Sequence, residues 1–189
     1  MGRLLLILGG ARSGKSAYAQ RIAETLGGED VLFVATAEAG DADMAQRITR
    51  HRAERPQAWR TLETPRHVGQ AITAYPAAVA VVVVDCLTLL VSNTLFACGE
   101  PPDPTVVDAA VQAEVAALVQ ACQARAGTCI VVSNEVGLGL VPDNALGRLY
   151  RDVLGRANQS LAAQAEAVYF LVAGLPVDMK ALAHAQPGR

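Results

Sequence analysis

Residues 4–20 read LLLILGGARSGKSAYAQ: an apolar run, a pair of glycines, and then a stretch with helical character. Gly9-Gly10-Ala11-Arg12-Ser13-Gly14-Lys15-Ser16 satisfies the pattern G-x-x-x-x-G-K-[ST] at each required position. No other feature restricts the fold as strongly, because this loop works only between a buried strand and the first turn of a helix. Its glycines let the backbone curl so that N–H groups point inward at phosphate oxygens. The helix that follows adds the positive end of its dipole. Lys15 is then expected to reach the β- and γ-phosphates, and the Ser16 hydroxyl to hold Mg²⁺. Lys15 and Lys180 are the only lysines in a chain with 16 basic residues, so arginine was not used where a compact point charge is needed. The loop implies a nucleoside triphosphate; by itself it says nothing of the base or of the fate of the phosphate.

The rest of the chain repeats the alternation. Arg3–Leu8, Val31–Thr36, Val79–Val84, 128–134 and 167–173 read as buried strands, with shorter ones expected at 59–63 and within GLPVDMK. Helices are expected over Gly14–Leu26, Asp41–Glu54, Arg66–Ala74, Thr88–Ala97, Thr105–Ala126 and from Pro142-Asp143 onward, with Asp143 as N-cap. Continuous apolar strands separated by helices imply an α/β domain with a mostly parallel sheet covered on both faces. Residues 1–180 are expected to form one domain and 181–189 a flexible tail.

Charge and cysteine usage exclude several classes. The formal net charge is −2, without the basic excess of a nucleic-acid binder. Cys86, Cys98, Cys122 and Cys129 contain no C-x-x-C pair, so neither zinc nor redox chemistry is indicated and a cytoplasmic setting is expected. Leu4–Leu8 is too short for a signal core. Ala77–Val91 carries Asp85 and falls short of the ~20 residues that span a bilayer, so no transmembrane segment is expected.

Two acids follow apolar strands. Asp85 ends AVVVVD, where such an acid commonly holds Mg²⁺ or its water; capping of the next helix is the alternative. Glu135 follows CIVVSN and is open to a substrate or metal role, since ligands of open α/β sheets gather at strand carboxyl ends. His51 stands among Arg50, Arg52 and Arg55. An imidazole nitrogen can attack phosphorus, and arginines neutralise phosphate charge. On composition alone a solvated helix face with an incidental histidine fits as well. His67 and His184 carry still less signal.

Taken together, GGARSGKS, FVATAEAGDADMAQRITRHRAERPQAWRTLETP, VVVVDCLTLLVSNTLF and SNEVGLGLVPDNALGRLYRDVLGRANQ resemble the bifunctional adenosylcobinamide kinase / adenosylcobinamide-phosphate guanylyltransferases of cobalamin biosynthesis, from about Leu4 to about Val177. RHRAERP and SNEVGLGLVPDNALGRLYRD are its most specific segments. The resemblance implies a RecA-like P-loop fold with an antiparallel strand late in the chain, and a homotrimer. It implies phosphorylation of adenosylcobinamide by ATP or GTP, then GMP transfer from GTP through a GMP–histidine intermediate. It places the nucleophile at His51, and nucleotide contacts at Gly9 to Ser16, Val34, Ala35, Thr36, Arg52, Ala53, Glu54, Arg55, Glu63 and Asp85. Some relatives have two adjacent histidines where this chain has Arg50-His51, and some have Glu in place of Asp85. Two rivals are a P-loop small-molecule kinase without a covalent step and a RecA-like NTPase module driven by a partner.

Overall fold

A computed structural model describes residues 2–40, 42–53 and 55–185. Strands β1 (Arg3–Gly9), β2 (Val31–Ala35), β3 (Arg60–Glu63), β4 (Val81–Asp85), β5 (Thr128–Val132), β6 (Ala167–Val172) and β7 (Leu175–Asp178) form one sheet in the order β3-β2-β4-β5-β1-β6-β7. Every neighbouring pair is parallel except β6 with β7, which is the late antiparallel strand the resemblance implied. The helices are α1 (Lys15–Gly27), α2 (Ala42–Ala53), α3 (Val68–Ala74), α4 (Leu87–Ala97), α5 (Pro104–Ala124), α6 (Ala145–Gln164) and α7 (Met179–His184).

Side-chain alternation along the strands explains the two cores. Leu5, Ile7, Phe33, Val81, Val83, Ile130 and Val132 face α1 and pack with Ala19 and Ala23. Leu4, Leu6, Leu32, Val34, Val82, Val84 and Val131 face the other way and pack with residues of α3, α4, α5 and α6. Burial on both faces is why β2, β4 and β5 read as unbroken apolar runs. Each fully buried Leu, Ile or Val contributes roughly 1.5–3 kcal/mol.

α5 is long and apolar enough, by length and composition alone, to cross a membrane. Its apolar face is accounted for within the domain: Val107, Val111, Val115, Leu118 and Cys122 belong to the core shared with α3 and α6.

Two local expectations change. The cap of α6 is Asn144, whose side chain accepts from Gly147 N at 2.7 Å. Asp143 instead accepts from Asn144 Nδ2 at 3.1 Å. Asn144→Ala is expected to lower the stability measured by urea unfolding by about 1 kcal/mol, and Asp143→Ala by a few tenths. Ala181–His184, expected in a flexible tail, lie in α7. Asp178 caps that helix by accepting from Lys180 N and Ala181 N at 3.0 Å each. Residues 186–189 lie outside the described residues.

Candidate active site

The carboxyl ends of β1, β5, β4, β2 and β3 open into a cleft of about 680 Å³. Its first wall is the loop between β1 and α1. Gly9 (φ 153°) and Gly14 (φ 93°) take backbone conformations that favour glycine, and a Cβ on Gly9 would lie 2.6 Å from Leu171 O. Gly14 precedes α1 and offers no side-chain cap, which leaves the first N–H groups of the helix for a ligand. Lys15 is 8% exposed, and its Nζ donates to Gly10 O at 2.6 Å. Ala11, Arg12, Ser13, Gly14, Lys15 and Ser16 line the cleft; Gly9 and Gly10 shape the loop behind them. The Ser13 hydroxyl is buried without a hydrogen-bond partner among the described residues.

The opposite wall is one face of α2. Met44, Ile48, His51 and Arg52 stand at i, i+4, i+7 and i+8 and all line the cleft. Met44 and Ile48 belong to no motif, and only their spacing from His51 marks them as sharing its helix face. Arg52 pairs with Glu63 at the end of β3. Just beyond α2, the Arg55 guanidinium lies over the Phe33 ring at 3.7 Å. Its Nε and Nη1 are buried with no hydrogen-bond partner among the described residues, as expected of a cation prepared for an anion. Burial lowers the Arg55 pKa from its usual value, and the Asp85 carboxylate pulls in the other direction.

Other expected residues are placed differently. Ala35 lines the cleft, but the Val34 side chain is fully buried in the core. Thr36 is also fully buried; its hydroxyl donates to Cys86 O and accepts from Cys86 N, each at 2.8 Å, joining β2 to the start of α4. Ala53 is exposed and does not line the cleft. Glu54 lies outside the described residues. Glu135 does not line the cleft either, and its Oε1 accepts from Gly137 N at 2.5 Å. Its neighbour Asn134 does line it, as do Cys86, Thr88 and Leu89.

The cleft lining includes an imidazole, His51, and a thiol, Cys86. Burial, and then the neighbouring Asp85 charge, push the Cys86 thiol up to about 11, so it stays protonated near neutrality and is a poor nucleophile. His67 is elsewhere: its backbone N and Nδ1 lie 2.8 and 3.0 Å from Glu114 Oε1 on α5. His184 is in the last turn of α7.

Magnesium fits this donor set. Ser16 and Asp85 are both at the cleft and offer hard oxygen ligands. No group of three or more His, Cys, Asp or Glu suited to a metal occurs among the described residues, and Mg²⁺ needs no such cage because it keeps waters and phosphate oxygens.

The family model described as cobinamide kinase / cobinamide phosphate guanyltransferase matches residues 5–179. The bifunctional adenosylcobalamin biosynthesis protein CobU of Salmonella typhimurium is 42% identical over 184 residues, covering 94% of this chain and 99% of that protein. The bifunctional adenosylcobalamin biosynthesis protein CobP of Pseudomonas aeruginosa is 44% identical over 175 residues, covering 93% of this chain and 96% of its own. Among solved structures, a prototypical ATPase from the type III secretion system of pathogenic bacteria superposes with a TM-score of 0.57 at 12% identity, over 94% of this chain and 57% of that one. That likeness bears on the fold alone, which is that of a P-loop NTPase.

Proposed function

Because the chain belongs to the cobinamide kinase / cobinamide phosphate guanyltransferase family, we propose that its one cleft carries out both reactions in succession. Adenosylcobinamide is phosphorylated by ATP or GTP, and the product then receives GMP from GTP. The observation that carries this reading is the position of His51, across a single cleft from the phosphate loop. The P-loop kinase without a covalent step differs from it only in giving His51 no bond to phosphorus.

In the first reaction the acceptor hydroxyl attacks the γ-phosphorus, and the nucleoside diphosphate leaves. Lys15 and the N–H groups at the start of α1 hold the terminal phosphates. In the second, a ring nitrogen of His51 attacks the α-phosphorus of GTP and pyrophosphate departs. The phosphate of adenosylcobinamide phosphate then displaces His51 and takes the GMP, giving adenosylcobinamide-GDP. The unpaired Arg55 nitrogens suit a phosphate group between the two walls. Ser16 and Asp85 would hold Mg²⁺, which would supply neutralisation of charge on the phosphates. The reading extends to a homotrimer in the cytoplasm, with light scattering on the purified protein as the check on the former.

Incubation with Mg²⁺ and GTP labelled at the α-phosphate, without corrinoid, is expected to leave an acid-labile, alkali-stable label on His51. One pyrophosphate should be released per label. Label from the γ position only, or none at all, would overturn the covalent step.

A further inference from the structure

The buried face of α6 is apolar at Val153, Leu154, Ala157 and Leu161, yet Asn158 among them is only 6% exposed. A buried amide is costly unless its groups are paired. Asn158 Oδ1 accepts from Ser133 Oγ at 2.7 Å, and Asn158 Nδ2 donates to Asn134 O at 3.1 Å. Asn134 N donates to Thr88 Oγ1 at 2.8 Å, and Tyr150 OH donates to Thr88 O at 3.2 Å. On the other side, Ser133 N donates to Ile7 O at 2.9 Å and Glu135 N to Gly9 O at 3.0 Å. The segment 133–135 is thus fastened to α6, to the first turn of α4 and to the strand that enters the phosphate loop.

All this bonding engages the Asn134 backbone and leaves its side chain at the cleft. The amide of that side chain has no protein hydrogen-bond partner among the described residues. Its place along the sheet is also defined. β5 lies between β1, which carries the phosphate loop, and β4, which carries Asp85. His51 approaches from α2, and Arg52 beside it reaches Glu63 on β3 at the far edge. Asn134 therefore lines the cleft between the strand that leads into the phosphate loop and the strand that carries Asp85.

We propose that Asn134 is a catalytic residue of the phosphorylation step and that Asn158 is the residue that positions it; this rests on the two-step reading above. The Asn134 Nδ2–H donates to an oxygen of the γ-phosphoryl group, and Oδ1 accepts from the acceptor hydroxyl. An amide takes up no proton near neutral pH, so it orients the hydroxyl and does not act as a base. The acceptor oxygen bonds to the γ-phosphorus as the bond to the β–γ bridging oxygen breaks. The electron pair leaves with the nucleoside diphosphate, and the hydroxyl proton passes to water.

The test compares two rates in Asn134→Ala, Asn158→Ala and wild type: cobinamide phosphorylation by ATP, and α-labelled GTP incorporation at His51. Asn134→Ala is expected to lower kcat for phosphorylation about 10²-fold, with the KM for ATP moving by less than about threefold. The ratio of phosphorylation to His51 labelling should fall about 10²-fold in that variant and about tenfold in Asn158→Ala. An unchanged ratio, whether both rates fall together or neither does, overturns the proposal. So does a rise in KM with kcat preserved, which is loss of ground-state binding. If wild type takes no label, the covalent reading fails, while the kcat and KM of phosphorylation still decide the role of Asn134.

Discussion

Lys15→Ala is expected to lower cobinamide phosphorylation and the guanylylation of His51 alike, each on the order of 10³-fold. The size follows from where the charge sits. Lys15 is the first residue of α1, 8% exposed, at a helix start that has no side-chain cap. Its ammonium group and the helix N–H groups are expected to act on the same anion, and low solvent access would strengthen each of those interactions. Both reactions begin from a bound triphosphate, so both lose this stabilisation. Lys15→Arg should rescue little, because a planar guanidinium cannot take the place of a compact ammonium inside the loop. Single-turnover rates with labelled ATP and GTP are the measurement. Loss confined to one reaction would mean that the two triphosphates are held in different places.

His51→Asn is expected to divide the activities. Guanylylation should fall on the order of 10⁴-fold or more, since removing a covalent nucleophile closes the double-displacement route. Phosphorylation should stay within about tenfold, because the γ-phosphoryl transfer asks nothing of an imidazole. The product should accumulate as cobinamide phosphate, which chromatography resolves from the GDP derivative. Cys86 is not expected to substitute for the lost histidine, because burial and then the Asp85 charge push its thiol up to about 11. Equal loss of both activities in a folded variant would assign His51 to nucleotide binding instead.

Much of this was legible in the chain. The phosphate loop was readable because its geometry needs particular residues at particular spacings, and the apolar strands because burial on both sheet faces leaves no polar position. The resemblance implies His51 as a phosphorus nucleophile, whereas composition alone does not separate it from an incidental surface histidine. Its neighbours on α2 show why. Arg50 is exposed while Met44, Ile48 and Arg52 reach the cleft, and which face of a polar helix turns inward depends on what packs against it.

Strand ends were the least legible. After Val132 the chain leaves β5, and the strand alternation no longer dictates which side chain faces the ligand. Glu135, open to a substrate or metal role by its place after β5, turns to Gly137 N, while Asn134 lines the cleft. Val34 and Thr36 belong to a nucleotide-binding stretch by resemblance. In the fold one fills the core and the other bonds to the Cys86 backbone.

The sequence by itself determined that the sheet is mostly parallel and which family the chain resembles, and it pointed to the turn from β1 to α1 as the place for a triphosphate. These depend on local backbone geometry and on the period of apolar residues, both of which are written in consecutive positions. Only the tertiary structure decided that His51, Arg55, Asp85 and Asn134 share one cleft with Lys15. Those residues come from four separate segments. They meet because the sheet order sets β5 beside β1 and β4 beside β5, with α2 walling the other side of the cleft, and that adjacency is set by packing across the whole domain.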